Sequence, residues 1–312
     1  MTNRIRLWLL ACSSLLISVV GCATVPASAG ASPYIDFTVV DPAIVERPLE
    51  GENPLRVAIA AVISPQGTAE SYRLLLDYLE TALNRPVVLV QRRTYREIND
   101  LIEHDQVDLA FVCTSAYVEG HDTFGMRLLV APQVNGQTVY RSLLIVPADS
   151  AAQSIRDLAG STFAFTDPIS TTGRAYPTYL LNQLGYEPET FFRRTFYTYS
   201  HDDAIRAVAN NIADAAGVDS LVYEFALRRE PELAERVRVI HESPPFGIPP
   251  VVVGPHVPAA WLTTLRDLFL NMSQDPAGQE ALAAIGVERF VLIDDAAYDS
   301  VREVRARVRL GP

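Results

Sequence analysis

The feature that most constrains the fold is a regular alternation of apolar and amphipathic segments, which starts at residue 55. Residues 55–63 are nearly all aliphatic, as in a strand buried on both faces, and residues 71–83 place their apolar side chains on one helical stripe. A second apolar segment at 86–90 is followed by Thr94 and Glu97, whose spacing predicts a capped helix. The alternation predicts an α/β fold in which helices cover a parallel sheet.

The alternation starts again after a long apolar segment at 139–146, which we interpret as a single strand. No sequence repeat relates this second half to the first. Its predicted strands are 161–166, 213–218 and 251–253, and its predicted helices are 174–184, 202–210, 221–229, 258–273 and 276–285. The restart predicts a second α/β lobe rather than one extended sheet.

The beginning of the chain carries the pattern of an export signal. Arg4 and Arg6 precede an apolar run at 7–20, which is shorter than the roughly 20 residues that a membrane-spanning helix needs. The run ends in Val19-Val20-Gly21-Cys22, which resembles the lipobox of bacterial lipoproteins. We therefore predict a signal peptide at 1–21 and lipid on Cys22. The alternative is an ordinary signal peptide or an uncleaved anchor.

Composition excludes several functional classes. The formal net charge of −11 argues against nucleic acid and against an electrostatic grip on anionic lipid. All 26 basic residues are arginine, which excludes a Schiff-base lysine and the lysine of a P-loop. Cys22 and Cys113 are the thiols beyond the leader, and the histidines lack a ligand spacing, so we predict neither a metal site nor a cofactor. Residues 22–54, rich in Ala, Ser and Pro, are interpreted as a tether.

Polar residues stand where several predicted strands end, which is the edge where open α/β sheets bind ligands. The most pronounced set is Ser170, Thr171 and Thr172, here called the hydroxyl turn, which precedes Gly173. The unpaired N–H groups of a helix N-terminus together with three hydroxyls form a neutral site for an oxyanion. Ser and Thr are also ordinary helix caps, although a cap needs only one hydroxyl.

His201 and Asp219 occupy two further strand ends, and each has a structural alternative. His201 can donate to a ligand or simply begin a helix. Asp219 can cap the helix that follows it or accept a hydrogen bond from a protonated ligand oxygen. Because a carboxylate repels a fully ionised anion, Asp219 in a ligand site would select ligands that keep a proton or carry an amine.

Seven segments, taken in order, carry a family resemblance that covers residues 55–305. They are 72–83, 107–117 (VDLAFVCTSAY), 140–146, 165–173 (FTDPISTTG), 200–224 (SHDDAIRAVANNIADAAGVDSLVYE), 243–253 (SPPFGIPPVVV) and 278–304, which includes GVERFVLIDDAAYDSVREV. With these segments the chain resembles the phosphate, phosphite and phosphonate solute-binding proteins of ABC transporters. Their order and spacing are more specific than any one segment.

The resemblance implies a fold and a division of the chain. The implied fold is a type II periplasmic-binding-protein-like α/β fold, in which two crossing strands form a hinge and the ligand cleft lies between two lobes. The implied crossings lie near 143–146 and 250–253. The first lobe would comprise residues 55–143 plus 254–312, and the second lobe residues 144–253.

The resemblance also implies which residues bind the ligand. They are Ser170, Thr171 and Thr172 in the hydroxyl turn, His201, Asp219, Thr114 and Ser115 in a first-lobe turn, and Tyr72 on the first helix. The phosphonate binders of the family carry an acid before the second crossing strand. This chain has Gly247-Ile248-Pro249-Pro250 there.

Together these features predict an exported, lipid-anchored, monomeric binding protein without catalytic activity, which delivers a small oxyanion to an ABC permease. Two alternatives stay open. The missing acid and the apolar segment 244–250 favour an organic ligand, or a sensor as partner, on the same fold. A cysteine hydrolase built from Cys113, His201 and Asp219 would need a thiol of lowered pKa beside the imidazole, whereas Cys113 ends an apolar strand.

Overall fold

The computed structural model describes residues 53–308 of the chain. The predicted signal peptide, the predicted lipid-attachment residue Cys22 and most of the predicted tether lie outside the described residues. No helix between residues 53 and 308 is long and apolar enough to cross a membrane.

The described residues form thirteen strands and eleven α-helices, with short 3₁₀ and π turns between some of them. The strands are β1 (Leu55–Ile59), β2 (Val87–Gln91), β3 (Leu109–Phe111), β4 (Arg127–Gln133), β5 (Val139–Tyr140), β6 (Ser142–Pro147), β7 (Thr162–Phe165), β8 (Arg194–Tyr197), β9 (Ala215–Asp219), β10 (Val237–Glu242), β11 (Phe246–Gly247), β12 (Val251–Val253) and β13 (Arg289–Val291). The helices are α1 (Pro65–Leu83), α2 (Tyr95–Glu103), α3 (Thr114–Phe124), α4 (Tyr176–Gln183), α5 (Pro188–Phe191), α6 (His201–Ala209), α7 (Ser220–Arg229), α8 (Leu233–Arg236), α9 (Ala259–Asn271), α10 (Pro276–Ala284) and α11 (Asp299–Ala306).

Two sheets organise these elements, and five strands of the first sheet follow the same pairing order as the five strands of the second. The first sheet has the strand order β13-β4-β12-β3-β1-β2, and the second has the order β10-β6-β9-β7-β8. In each sheet a central strand pairs in parallel with two neighbours, β1 with β2 and β3, and β7 with β8 and β9. An antiparallel strand follows, β12 beside β3 and β6 beside β9. The predicted pair of α/β lobes is confirmed.

Each lobe buries apolar side chains against its sheet. In the first lobe Val57, Leu75 and Phe269 belong to one fully buried cluster. In the second lobe Ile145 and Ile205 belong to another. The nearly continuous aliphatic strands of the sequence follow from this arrangement, because a sheet covered on both faces leaves no strand face for polar residues.

The chain crosses between the two sheets at residues 134–141 and 243–250, where β5 and β11 form a small ladder of their own. The crossings predicted near 143–146 and 250–253 are wrong. Residues 143–146 lie within β6 in the second sheet, and β12 lies in the first sheet between β3 and β4. The predicted second lobe of residues 144–253 included β12, whereas β12 pairs with strands of the first sheet. Both segments are entirely aliphatic, and such a strand carries no sign of the sheet that it joins.

Helix α2 illustrates how local sequence sets the helix starts that surround the site. Thr94 accepts a hydrogen bond from the Glu97 N–H, and the Glu97 carboxylate accepts one from the Thr94 N–H. The predicted capping box is confirmed. It starts the helix at Tyr95, whose side chain is fully buried.

Gly173 permits a close approach between the hydroxyl turn and the end of β7. A Cβ atom on residue 173 would overlap the Thr166 Oγ1 atom and would lie 2.8 Å from Thr166 Cβ. Real Cβ atoms do not approach other atoms so closely. The turn can therefore pass over the strand end only where residue 173 lacks a side chain.

We expect Gly173→Ala to lower the free energy of unfolding by about 1–3 kcal/mol, the usual cost of overpacking. Thr166→Ala alone should cost little, because its buried hydroxyl has no hydrogen-bond partner. The double variant should cost less than the sum of the two, because Thr166→Ala removes Oγ1 and Cγ2 from the overlap. Urea denaturation measures all three, and additive costs would refute the overlap as the cause.

Candidate ligand-binding site

The hydroxyl turn begins the helical segment that follows β7. Ser170 is the N-cap, and its Oγ accepts a hydrogen bond from the Gly173 N–H at 3.1 Å. Residues Thr171–Ala175 form a π-helical turn that runs into α4. Ser170 thus has the capping role, which leaves the hydroxyls of Thr171 and Thr172 for other partners. Such π turns occur often at functional sites.

Thr171 joins the two lobes through its hydroxyl. Its Oγ1 lies 2.6 Å from Thr114 Oγ1 and 2.8 Å from Ser115 Oγ, both in the first turn of α3. Thr114 Oγ1 also lies 2.6 Å from the Tyr140 hydroxyl in β5. These four residues, here called the hydroxyl cluster, are all buried. The structure therefore brings the predicted first-lobe and second-lobe turns into direct contact.

Thr172 contributes through its backbone. The Ser142 hydroxyl in β6 donates to the Thr172 carbonyl oxygen at 2.7 Å, and both residues are buried. Gly217 in β9 packs beneath the same carbonyl, since a Cβ on Gly217 would lie 3.0 Å from it. The turn is therefore held on β6 and β9 of its own sheet.

His201 and Asp219 are hydrogen-bonded to each other. The Asp219 N–H donates to His201 Nδ1 at 3.0 Å, and both side chains are buried. Burial lowers the pKa of His201 to about 3, so the imidazole is neutral near pH 7. Because Nδ1 accepts, the single imidazole proton resides on Nε2. His201 is thus a fixed neutral donor, the form that suits an anionic ligand without competing for protons.

Asp219 caps α7, which is one of the two roles that the sequence left open for it. Its Oδ1 accepts hydrogen bonds from the N–H groups of Leu221 at 2.7 Å and Val222 at 3.3 Å. Burial raises the pKa of Asp219 to about 7, although these two N–H groups act in the opposite direction. The carboxyl group therefore holds its proton over much of the range below neutrality. In that form it can donate a hydrogen bond rather than repel an anion.

The site also contains two tyrosines that the sequence analysis did not predict as site residues. Tyr140 is part of the hydroxyl cluster, and the buried Tyr95 hydroxyl has no hydrogen-bond partner. Burial raises the pKa of Tyr95 well above its ordinary value, with Cys113 and Asp219 among the neighbours that add to the effect. The signal that could have identified Tyr95 is its position directly after the Thr94 cap, at the carboxyl end of β2.

Further hydrogen bonds connect the lobes beside this cluster. The Tyr95 N–H donates to Asp167 Oδ2 at 3.0 Å, and the Ser64 N–H donates to Asp202 Oδ1 at 2.8 Å. In both pairs a helix N-terminus of the first lobe faces a carboxylate of the second lobe. The lobes are therefore closed on each other.

An apolar cavity of about 150 Å³ lies next to the polar groups. Residues of both lobes line it, and Asp219 stands among them. Tyr72 also lines this cavity, with its ring edge-on to Phe111 at 5.3 Å between centroids. Burial raises the pKa of Tyr72 to about 12. Tyr72 is thus placed at the cavity rather than among the hydrogen bonds of the hydroxyl cluster.

The geometry does not favour the cysteine hydrolase alternative. Cys113 Sγ lies 3.9 Å from Thr171 Oγ1, while His201 Nδ1 is engaged by the Asp219 N–H. Burial raises the pKa of the Cys113 thiol, which is the opposite of the change that a nucleophilic thiolate needs. Among residues 53–308 there is also no group of three His, Cys, Asp or Glu side chains suited to a metal ion.

Two lobes joined by two crossing segments, with donors converging between them, define the class of periplasmic solute-binding folds. The chain belongs to the family described as ABC transporter, phosphonate, periplasmic substrate-binding protein, whose profile matches residues 57–298. The family resemblance inferred from the sequence is confirmed.

Known relatives agree with this assignment. The probable ABC transporter phosphite binding protein PhnD1 of Prochlorococcus marinus (strain MIT 9301) is 24% identical over 183 residues, which cover 53% of this chain and 60% of that protein. The chain thus spans less than two thirds of that curated relative.

Two solved structures share the fold. A binding protein component of an ABC phosphonate transporter from Pseudomonas aeruginosa has a TM-score of 0.76 at 25% identity, covering 81% of this chain and 85% of that chain. PhnD1 of Prochlorococcus marinus in complex with methylphosphonate has a TM-score of 0.73 at 19% identity, covering 81% and 97%.

We expect Asp219→Asn to remove a pH dependence of stability. The pKa of Asp219 is raised on folding, so its contribution is complete below about pH 4 and is lost as the pH rises through about 7. Asn keeps an acceptor for the Leu221 N–H but does not ionise. Relative to wild type, Asp219→Asn should therefore gain at least about 1 kcal/mol between pH 5 and pH 8, because a tenfold change in proton affinity corresponds to about 1.4 kcal/mol.

Urea denaturation at the two pH values provides the measurement. Asp275→Asn serves as the control, because Asp275 is an exposed cap that accepts from the Ala277 N–H at 3.0 Å. Equal shifts for both variants would contradict a special protonation of Asp219.

Proposed function

We propose that this chain is an exported, lipid-anchored solute-binding protein that captures a small oxyanion and delivers it to an ABC permease. The oxyanion belongs to the phosphonate, phosphite and phosphate class. The observation that carries the proposal is the meeting of buried hydroxyl groups from both lobes, Thr171 against Thr114 and Ser115, between two closed lobes. Ser115 and Thr171 stand at helix N-termini from opposite lobes, and His201 contributes a neutral donor.

Neutral donors suit reversible capture of an oxyanion. Helix N-termini present N–H groups and a favourable dipole, so they bind an anion without a formal positive charge. The Thr171 Oγ1 and Ser115 Oγ atoms lie 2.8 Å apart, so the first turns of the two helical segments meet in one small volume. A ligand oxygen there would receive donors from both lobes at once.

The bonds between the lobes give the ligand a way to act on conformation. Thr171 with Ser115, and Asp167 with Tyr95, are pairs that exist only when the lobes are closed. A ligand that contacts both lobes binds the closed state more tightly than the open state and shifts the population toward it. Hinge closure of this kind is the established motion of periplasmic binding proteins.

The relatives support the choice of ligand class and of partner. One is named as a probable phosphite binding protein of an ABC transporter, and a solved structure of PhnD1 holds methylphosphonate. The family description itself names a phosphonate transporter. We extend the oxyanion class, the permease partner, the monomeric state and the absence of catalysis to this chain as parts of the proposal.

We expect calorimetric titration of the purified chain with phosphite, methylphosphonate, phosphate and sulfate to give saturable binding of at least one phosphorus oxyanion. Thr171→Val should weaken that binding at least tenfold, because loss of its hydroxyl would remove a second-lobe donor and leave the buried first-lobe hydroxyls of Thr114 and Ser115 without this partner. Thr178→Val is the matched control. Its hydroxyl is equally buried but donates within its own lobe, to the Arg174 carbonyl oxygen four residues earlier.

The control should leave the affinity within about threefold of wild type, since it loses one hydrogen bond of ordinary strength outside the cleft. Absence of binding by all four anions, on folded protein, would refute the oxyanion assignment. Equal losses for the two valine variants would remove Thr171 from the site.

We expect Cys22→Ser to abolish incorporation of labelled fatty acid and to move the protein from the membrane fraction to the soluble fraction. The reason is that Cys22 is the acceptor in the lipobox-like Val19-Val20-Gly21-Cys22. Cys12→Ser, which changes a cysteine within the predicted signal peptide, is the control and should leave labelling intact. Persistent labelling of Cys22→Ser would contradict a lipid anchor.

A further inference from the structure

We propose that the oxyanion carries an uncharged apolar substituent, up to about the size of a benzene ring, which occupies the cavity beside Asp219. This inference rests on the proposed function and specifies its ligand as an alkyl or aryl phosphonate rather than an aminoalkyl phosphonate.

The cavity lies between the lobes and closes with them. Ile59, Phe111 and Phe290 line it from the first lobe, and Leu221 and Phe225 line it from α7 of the second lobe. Ile248 contributes from the segment that crosses between the sheets. A group seated there contacts both lobes, so its burial would add to the free energy of closure in the same way as the oxyanion contacts.

The volume and the lining together define what the cavity accepts. A cavity of about 150 Å³ lined by Leu, Ile and Phe side chains is known to stay dry and to bind benzene. This one has the same volume, and most of its lining residues are apolar, with Asp219, Glu224 and Arg228 as the charged exceptions. An apolar group of a few carbons therefore fits by size, and each methylene removed from water would tighten binding about fourfold.

The cavity adjoins the polar site at Asp219, while the residues of the hydroxyl cluster lie outside its lining. The Asp219 side chain lines the cavity, while its N–H donates to His201. Val112, two residues before Thr114 of the hydroxyl cluster, lines the cavity as well. A ligand with its oxyanion among the hydroxyls would therefore direct its substituent toward the apolar side chains.

The charges around the cavity disfavour an ammonium substituent. Asp219 is the buried acid of the lining, and its Oδ1 is already bonded to the N–H groups of Leu221 and Val222. Burial raises the pKa of Asp219 to about 7, so near neutrality it is in part uncharged. Glu224 and Arg228 also line the cavity, but both are exposed. An ammonium group seated in the buried part of the cavity beside Asp219, away from the exposed Glu224, would thus lose its hydration without a fully charged partner.

The test compares ligands of matched shape by calorimetry. n-Propylphosphonate and 2-aminoethylphosphonate have the same number of heavy atoms and differ by a methyl against an ammonium group. We expect n-propylphosphonate to bind at least tenfold more tightly than 2-aminoethylphosphonate. It should also bind about fifteenfold more tightly than methylphosphonate, since two methylenes are buried at about fourfold each.

The outcomes separate this inference from the proposed function. If 2-aminoethylphosphonate or methylphosphonate binds as tightly as n-propylphosphonate, the apolar substituent is refuted while oxyanion binding stands. If no phosphorus oxyanion binds, both are refuted. Titration of these ligands into the wild-type chain is enough to test the apolar substituent, so this test needs no variant.

Leu221→Trp tests the location. The larger side chain would fill the cavity and should weaken n-propylphosphonate at least tenfold, while phosphite, which has no substituent, should stay within about threefold. Leu292→Trp is the control, because Leu292 is 62% exposed and outside the cavity lining. Equal weakening of both ligands by Leu221→Trp would refute the cavity as the place of the substituent.

Discussion

The hydrogen bonds of the Thr171 hydroxyl to Thr114 and Ser115 are the interaction on which the arrangement of the two lobes depends. They join two helix N-termini, one from each sheet, and each N-terminus follows the carboxyl end of a strand. The two sheets therefore place their helix starts against each other at this point. Gly173 and Ser142 hold the turn where Thr171 can reach across. Because these hydroxyls are buried, every one that lacks a partner carries a desolvation cost, and the lobes gain by closing only when those groups are satisfied.

Burial also determines the electrostatic character of the site. The same removal from water that lowers the pKa of His201 raises the pKa of Asp219, so both groups tend toward their neutral forms near pH 7. Neutral hydroxyl, imidazole and backbone donors would then face the proposed ligand in a region of low dielectric, where hydrogen bonds to an anion are strong. On this proposal the acidic chain, with its net charge of −11, would bind an anion through local dipoles rather than through its overall charge.

The sequence predicted the architecture and part of the site, and its omissions have physical causes. The hydroxyl turn was visible because three hydroxyls exceed what one cap requires. Tyr95 and Tyr140 were missed because a tyrosine beside an apolar strand looks like an ordinary core residue, and only its hydroxyl environment distinguishes it. The crossings were misplaced because aliphatic strands such as Val251–Val253 fit either sheet equally well. Which turns meet across a cleft depends on tertiary packing, which local patterns do not encode.

The short ladder of β5 and β11 has a mechanical consequence. Only two residue pairs form it, Phe246 with Tyr140 and Gly247 with Val139. When one lobe rotates against the other about the crossing segments, the residues of those segments are displaced least, and Tyr140 belongs to one of them. Its hydroxyl, bonded to Thr114, therefore keeps its position in the site while Thr171 moves with the second lobe. Ligand recognition would then combine a contact that stays fixed at the hinge, from Tyr140, with contacts that form only as the second lobe moves in, from Thr171.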